Sequence, residues 1–529
     1  MVLAACAPAT EPDASPEHEN APDSAPAEQP LPRIEDEAAA PPSVPPESPS
    51  PRDEEEPAPR DEEEPAPRDE EEPAADEAGA GEADRTQLQA LLAQLLDGAR
   101  AELSAAELGV LVTDADGRPL LAHDADRPLL PASTLKLVTA AAILVTLGPD
   151  ARLSSSVETT APLEDGVVDG DLHLAGTGDP LLATREYGRW VYPARPRTPM
   201  EQLADDLVAV GVRHVTGDVL GAAEGYRGPM VAEGWPDRYY HDFNARRIAG
   251  LTVDAGLEAT YTWPDDEAPG PDDDLVEPER VILELADDPA EQAATELVRL
   301  LEVRGVRVDG EGRAGTPEVP ILGTLARVHG PPMHEVLRFM VQRSDNHIAD
   351  TLLHVAGRVR TGEASWERGE RALLQVLEHL GVPTDGARFA DGSGLSRDDR
   401  LTATMLVELD RALVAHRHGE VWESLLAVAG EPGTLRTRLR ATPAQGRLLA
   451  KTGHLRDVAS LSGFVRGDTG ERLHFALIAN EVAGPDRAVI RALADDLSLL
   501  LSSELLDCRV SAADGDDGPL GRPPLVVAC

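Results

Sequence analysis

Only two of the 48 basic residues in this chain are lysine, Lys136 and Lys451; the rest are arginine. A guanidinium stays protonated inside a protein, whereas a lysine stripped of water loses its proton and becomes a base. A chain that writes its ordinary surface charge as arginine therefore keeps lysine for positions where arginine fails. Lys136 follows Ser133 by three residues in Ser133-Thr134-Leu135-Lys136, and on a helix that spacing puts both side chains on one face. A serine at the N-terminal end of a helix also gains from the positive end of the dipole and from nearby backbone N–H groups, which favour a developing alkoxide. The chemistry implied is attack by a hydroxyl activated by a neighbouring amine. Taken alone, Ser-x-x-Lys is a pattern that chance also produces.

The second lysine begins Lys451-Thr452-Gly453 at the end of an apolar, strand-like run. There a glycine lets a substrate approach the backbone, and Lys and Thr can hold a carboxylate. The bland alternative is a strand-to-turn junction with a solvated lysine. Between the two lysines lies Ser344-Asp345-Asn346, a polar cluster in a helix-rich apolar segment. It reads either as part of a site or as a helix cap, since all three residue types favour caps and turns.

These residues need elements to position them. Leucines at three- and four-residue spacing predict a helix over TQLQALLAQLLDGARAEL, followed by strands Leu108 to Thr113 and Pro119 to His123 around an Asp-Gly turn. Pro131 introduces an almost wholly apolar helix closed by Gly148, with Ser133 in its first turn. Residues 150–324 alternate strand-like pieces, turns and a few helices, as an inserted α+β domain would. Helices are expected from Pro331 to about Ala429. Then RLLAKTG, VASLSGFVR and ERLHFALIAN read as successive strands, and Pro485 starts a helix to about Leu506. The fold class is α+β, with an antiparallel sheet flanked by helices as the core.

Ser-x-x-Lys, Ser-Asp-Asn and Lys-Thr-Gly, in that order, form the motif set of penicillin-binding proteins and class A β-lactamases. Ser344 lies 211 residues after Ser133, and Lys451 lies 107 after Ser344. The long first gap requires a large insertion, and the chain in this respect resembles the type-4 penicillin-binding proteins, the D-alanyl-D-alanine carboxypeptidase/endopeptidase family. LHLAGTGDPLL around Gly178-Asp179-Pro180, DGSGLSR from Asp391 and KTGHLRDVASLSGFV from Lys451 are similar to that family too, and the resemblance covers roughly Leu88 to Leu506. It implies a penicillin-binding/β-lactamase-like catalytic domain that takes peptidoglycan peptides as substrates and β-lactam antibiotics as covalent ligands. By resemblance Ser133 is the acylated nucleophile and Lys136 its base. Ser344 relays a proton to the leaving D-alanine, Asn346 holds the substrate backbone, and Lys451 with Thr452 supports proton transfer and carboxylate recognition. Gly453 completes the substrate-binding motif, and the N–H groups of Ser133 and His454 form the oxyanion hole. His454 stands where the family usually has Thr or Ser, so carboxypeptidase preference is open, and an imidazole titrating near neutrality would make activity on free D-alanine ends pH-sensitive. The alternatives are a β-lactamase-like hydrolase and a non-catalytic peptidoglycan-binding lipoprotein with the same fold. DGSGLSR is either a cleft-lining loop or a tight turn, and His347 reads as a surface or packing residue.

The expected organisation is a tether over 1–84, catalytic segments over 85–149 and 325–507 with the insert between them, and a tail over 508–529. The tether is acidic and proline-rich, with PRDEEEPA three times from Pro51 to Ala74, and is expected to be disordered and extended. A net charge of −48 makes nucleic acid an improbable partner. Cys6 follows Leu3-Ala4-Ala5, which resembles a lipobox, although no charged or apolar signal region precedes it. Membrane anchoring through a lipidated Cys6, and a periplasmic or cell-envelope location, are the expectation. Whether Cys508 and Cys529 pair is open. Scattered histidines and scarce cysteines imply no metal, and no cofactor is expected.

Overall fold

The computed structural model describes residues 75–222, 225–264, 277–512, 518–520 and 525–529. Cys6 and the PRDEEEPA repeats of the expected tether lie outside the described residues. The tether boundary expected at Asp84 is corrected, because helix α1 spans Ala75–Glu102. Its leading turns lack large apolar residues, but extending a helix already nucleated costs far less than starting one, and four alanines favour it. The rest of α1 is held by packing, with Leu88, Leu92, Leu95, Leu96 and Ala99 buried.

Strands β1 (Glu107–Thr113) and β2 (Pro119–His123) follow, then helix α2 (Leu135–Leu147), which ends at Gly148 with φ 82°. After the intervening segment come α3 (Met333–Arg343), α4 (Asn346–Thr361), α5 (Trp366–His379) and α6 (Ala403–Val414). The chain then enters β3 (Ala427–Val428), β4 (Leu448–Leu455), β5 (Val458–Arg466) and β6 (Arg472–Asn480), and continues into α7 (Asp486–Leu505). These strands form one antiparallel sheet in the order β3-β4-β5-β6-β1-β2. One face packs against α1 and α7, the other against the helices from α2 to α6. β6 is buried along its length and reads as an almost continuous apolar run, whereas β5 places Ser460 and Ser462 among its buried residues.

One edge of this sheet matters for the site. β4 pairs with β5 along its whole length, from Leu448↔Val465 to Leu455↔Val458, but β3 covers only Leu449 and Ala450 on its other side. The Leu448 carbonyl accepts from Ala429 N on that outer side at 3.0 Å. Backbone groups alternate along a strand, so those of Thr452 and His454 also point to the outer edge, past the end of β3.

The segment between α2 and α3 builds a separate five-stranded sheet, ordered Gly312–Ala314, Val219–Ala222, Leu172–Gly176, Ser154–Thr159 and Gly323–His329. Its apolar core, including Val157, Leu174, Leu203, Leu297 and Val328, is distinct from the two that sandwich the first sheet. At the C-terminus Arg509–Ala512 pairs antiparallel with Leu525–Ala528. This pairing brings Cys508 and Cys529 together, and the structure answers the question the sequence left open: they form a disulfide.

Candidate active site

Ser133 sits in a single 3-10 turn, Ala132–Thr134, and the α-helix proper begins at Leu135. The helix expected to start at the serine therefore starts just after it, yet the three-residue spacing still brings the pair together. Lys136 Nζ is 2.9 Å from Ser133 Oγ, 2.8 Å from Asn346 Oδ1 and 2.6 Å from the Ser393 carbonyl. An ammonium has three protons, and three acceptors surround this one. Once it loses a proton, the free lone pair can accept from the Ser133 hydroxyl while the other two bonds persist. Complete burial lowers the Lys136 pKa to about 8, against the pull of Asp350, Asp391, Asp345 and Asp399, so the neutral form is within reach near neutral pH.

Ser344 occupies the junction between α3 and α4 in the left-handed region, φ 59° and ψ 41°. Asp345 caps α4, its Oδ1 accepting from Ile348 N at 3.0 Å. Both readings of Ser-Asp-Asn have a counterpart in the structure: the aspartate caps α4, while Ser344 and Asn346 bond the two lysines. Lys451 Nζ donates to Ser344 Oγ at 2.9 Å and to the Thr452 carbonyl at 2.6 Å. Burial, and then the charge of Lys136, push the Lys451 amine well below its ordinary range. Asn346 donates through Nδ2 to the Asn244 carbonyl at 3.0 Å, which fixes its Oδ1 toward Lys136.

Gly453 serves a purpose besides the expected approach of substrate. A Cβ there would fall onto Ser460 Oγ, 2.8 Å from the Pro131 carbonyl and 3.0 Å from Ser133 N. The missing side chain lets the serine turn press against β4. Ser460 Oγ and Thr134 Oγ1 then hold the Pro131 carbonyl at 2.7 and 2.8 Å. Ser133 N thus lies against β4 at Gly453, the residue before His454. Although His454 is exposed, partial loss of water around its imidazole and the cations Arg438, Lys451, Arg487 and Arg491 push it below its usual pKa, so the expected titration near neutrality is corrected to a lower range.

The model of the D-Ala-D-Ala carboxypeptidase 3 (S13) family matches residues 88–283 and 276–501. The chain belongs to this family. It is accordingly a serine peptidase, with the penicillin-binding type of fold. It is 31% identical over 442 residues to a D-alanyl-D-alanine carboxypeptidase of an Actinomadura species, covering 72% of this chain and 79% of that one. It is 33% identical over 409 residues to the carboxypeptidase DacB of Mycolicibacterium smegmatis, covering 74% and 81%. The structure matches penicillin binding protein 4 (dacB) from Haemophilus influenzae with a TM-score of 0.61 at 21% identity, covering 74% of this chain and 93% of that one.

Several residues of this carboxypeptidase-family site were not legible in the sequence as site residues. DGSGLSR proves to be both turn and lining. Its Asp391 accepts from Ser393 N, Gly394 N and Ser396 N at 2.9, 2.6 and 2.7 Å, which aims the Ser393 carbonyl at Lys136. Gly394, at φ 82°, lies where any Cβ would overlap the Ala132 carbonyl. Burial and Asp391 push the Asp350 and Asp399 carboxyls well above the ordinary carboxylate range. From the intervening segment, Arg195 bonds the Pro180 carbonyl at 3.0 Å and the Asp345 carboxylate at 2.9 Å, tying Gly178-Asp179-Pro180 to the cap beside Ser344. Although burial opposes it, Arg195 together with Arg246 holds the Asp345 carboxyl below its usual range. His347 is buried beside Arg195.

Asn480, at the end of β6, clamps the approach to the nucleophile, accepting from Leu130 N at 2.8 Å and donating to the Leu130 carbonyl at 3.0 Å. Asn480→Ala leaves two buried backbone groups unpaired, and unfolding in denaturant should show a loss of about 2 kcal/mol or more. A loss under about 0.5 kcal/mol, as at an ordinary surface site, would remove Asn480 from this role.

Proposed function

We propose that this protein is a D-alanyl-D-alanine carboxypeptidase/endopeptidase that cleaves peptidoglycan stem peptides or cross-links through an acyl-enzyme on Ser133. The observation that carries this reading is the bonding of Lys136 Nζ to Ser133 Oγ, Asn346 Oδ1 and the Ser393 carbonyl, with an amine pKa lowered to about 8. Neutral Lys136 takes the hydroxyl proton as Ser133 Oγ attacks the carbonyl of the penultimate D-alanine. The Ser133 and His454 N–H groups stabilise the oxyanion. Ser344, which accepts from Lys451 Nζ, passes a proton to the departing amine, which leaves as the C–N bond breaks. Water then attacks the ester and restores Ser133. Asn346, Thr452 and Gly453 line the groove in which the peptide lies along β4. Residues 150–324 act in this reading as an inserted domain that contributes Arg195 to the site's rim.

In this reading the protein works outside the cytoplasm, where its substrate lies, and the Cys508–Cys529 disulfide supports an oxidising compartment. A single experiment addresses both parts of the reading: labelling with a membrane-impermeant fluorescent penicillin, on intact cells and on purified protein, with Ser133→Ala as control. A stable adduct of the wild type in both samples, absent from the variant, is expected. Absence of an adduct on folded, purified protein without penicillin turnover favours a peptidoglycan-binding module, rapid turnover favours a β-lactamase-like hydrolase, and labelling only after cell lysis removes the envelope location.

A further inference from the structure

Where β4 runs past β3, Thr452 and His454 open onto a cavity of about 480 Å³ whose lining includes Arg438, Arg487 and Arg491 beside apolar residues such as Leu461 and Ile490. Its lining holds three arginines and a histidine and no carboxylate, in a chain of net charge −48. Asp495 neutralises part of this charge, bonding Arg438 Nε and Nη2 at 2.8 and 2.5 Å and lying 3.9 Å from Arg491. Arg487 donates to the Arg456 carbonyl, a neutral partner that leaves its charge intact. An anion approaching this protein meets net repulsion, so a local group of cations facing the end of the substrate groove is where a negative ligand finds compensation.

Position and size specify the ligand. The cavity adjoins the two residues that follow Lys451 with side chains on one strand face, so it lies where the leaving side of a peptide bound along β4 would extend. Alanine would fill only a fraction of 480 Å³, leaving room for further residues of a longer leaving segment. We propose that this cavity is a subsite for carboxylates beyond the released D-alanine position, as presented by the second stem of a cross-linked peptide. It rests on the reading of Ser133 as the acylated residue, and it makes Arg487 and Arg491 determinants of endopeptidase over carboxypeptidase action.

The test compares kcat/KM on a cross-linked muropeptide dimer with that on an uncross-linked peptide ending in D-Ala-D-Ala. It uses wild type, the double variant Arg487→Gln with Arg491→Gln, and the double variant in which both become Lys. Both arginines are exposed, so all three proteins should fold, which thermal melting checks. The ratio of cross-linked to uncross-linked activity is expected to fall about tenfold in the Gln variant, mainly through KM, and to be largely restored in the Lys variant, which keeps the charges. An unchanged ratio overturns the subsite, as does a wild type that cleaves only the uncross-linked peptide. If penicillin also fails to label Ser133, the underlying reading falls with it; labelling with an unchanged ratio removes the subsite alone.

Discussion

Lys136→Arg should lower the second-order rate of acylation by about a thousandfold, a magnitude in the range general-base catalysis supplies, without loss of fold. Arginine keeps the positive charge and can still donate toward Asn346 and the Ser393 carbonyl, so it separates charge and hydrogen bonding from the ability to lose a proton. The pH profile carries the same argument. Burial brings the lysine to about 8, and only its neutral form accepts the serine proton. Acylation by the wild type should therefore climb with pH toward a plateau above about 8 and fall close to tenfold per unit below it. Stopped-flow acylation by a chromogenic β-lactam measures both. An Arg variant within tenfold of wild type, or a flat wild-type profile from about pH 6 to 9, would mean that Lys136 is not the base.

Gly453→Ala should cost about a hundredfold in acylation, because the new methyl group must displace either Ser460 or the serine turn. Ser460 Oγ can rotate away, but the Pro131 carbonyl and Ser133 N, 2.8 and 3.0 Å from the added carbon, are backbone. Moving Ser133 N relative to the outer edge of β4 separates the two N–H donors. The same acylation assay with Ser460→Ala added to Gly453→Ala provides the check. Partial recovery in the double variant is expected, since removing the hydroxyl relieves one of the overlaps. Wild-type rates in Gly453→Ala itself would show that the turn and strand can separate freely and that the close approach is not needed.

Much of the fold was readable because local chemistry dictates it. The helix closed by Gly148, the three strands from Arg447 to Asn480 and the long helix after Pro485 follow from apolar runs, caps and turns, and they lie within a few residues of where those signals end. Two local readings needed correction. The helix that starts at Ala75 has too few apolar residues to announce itself, and Ser133 lies in a 3-10 turn where a helical first turn was expected. Both concern element ends, where a few backbone hydrogen bonds are exchanged at little cost.

The sequence by itself determined the chemistry: a hydroxyl and an amine three residues apart, a second amine before a glycine, and a polar triplet between them, each marked by residue type. Lysine scarcity isolated Lys136 and Lys451, because only an amine can both bear and lose a proton at these positions. What only the tertiary structure decided was the environment that makes those groups reactive. Asn480 reaches Leu130, Ser460 reaches the Pro131 carbonyl, Asp391 turns the Ser393 carbonyl toward Lys136, and three arginines from two separate segments gather beside His454. Asn480 and Ser460 sit more than 300 positions from the groups they hold. A pattern in sequence records which groups are present, whereas desolvation, field and hydrogen-bond geometry depend on which of them the packed chain brings within a few ångströms.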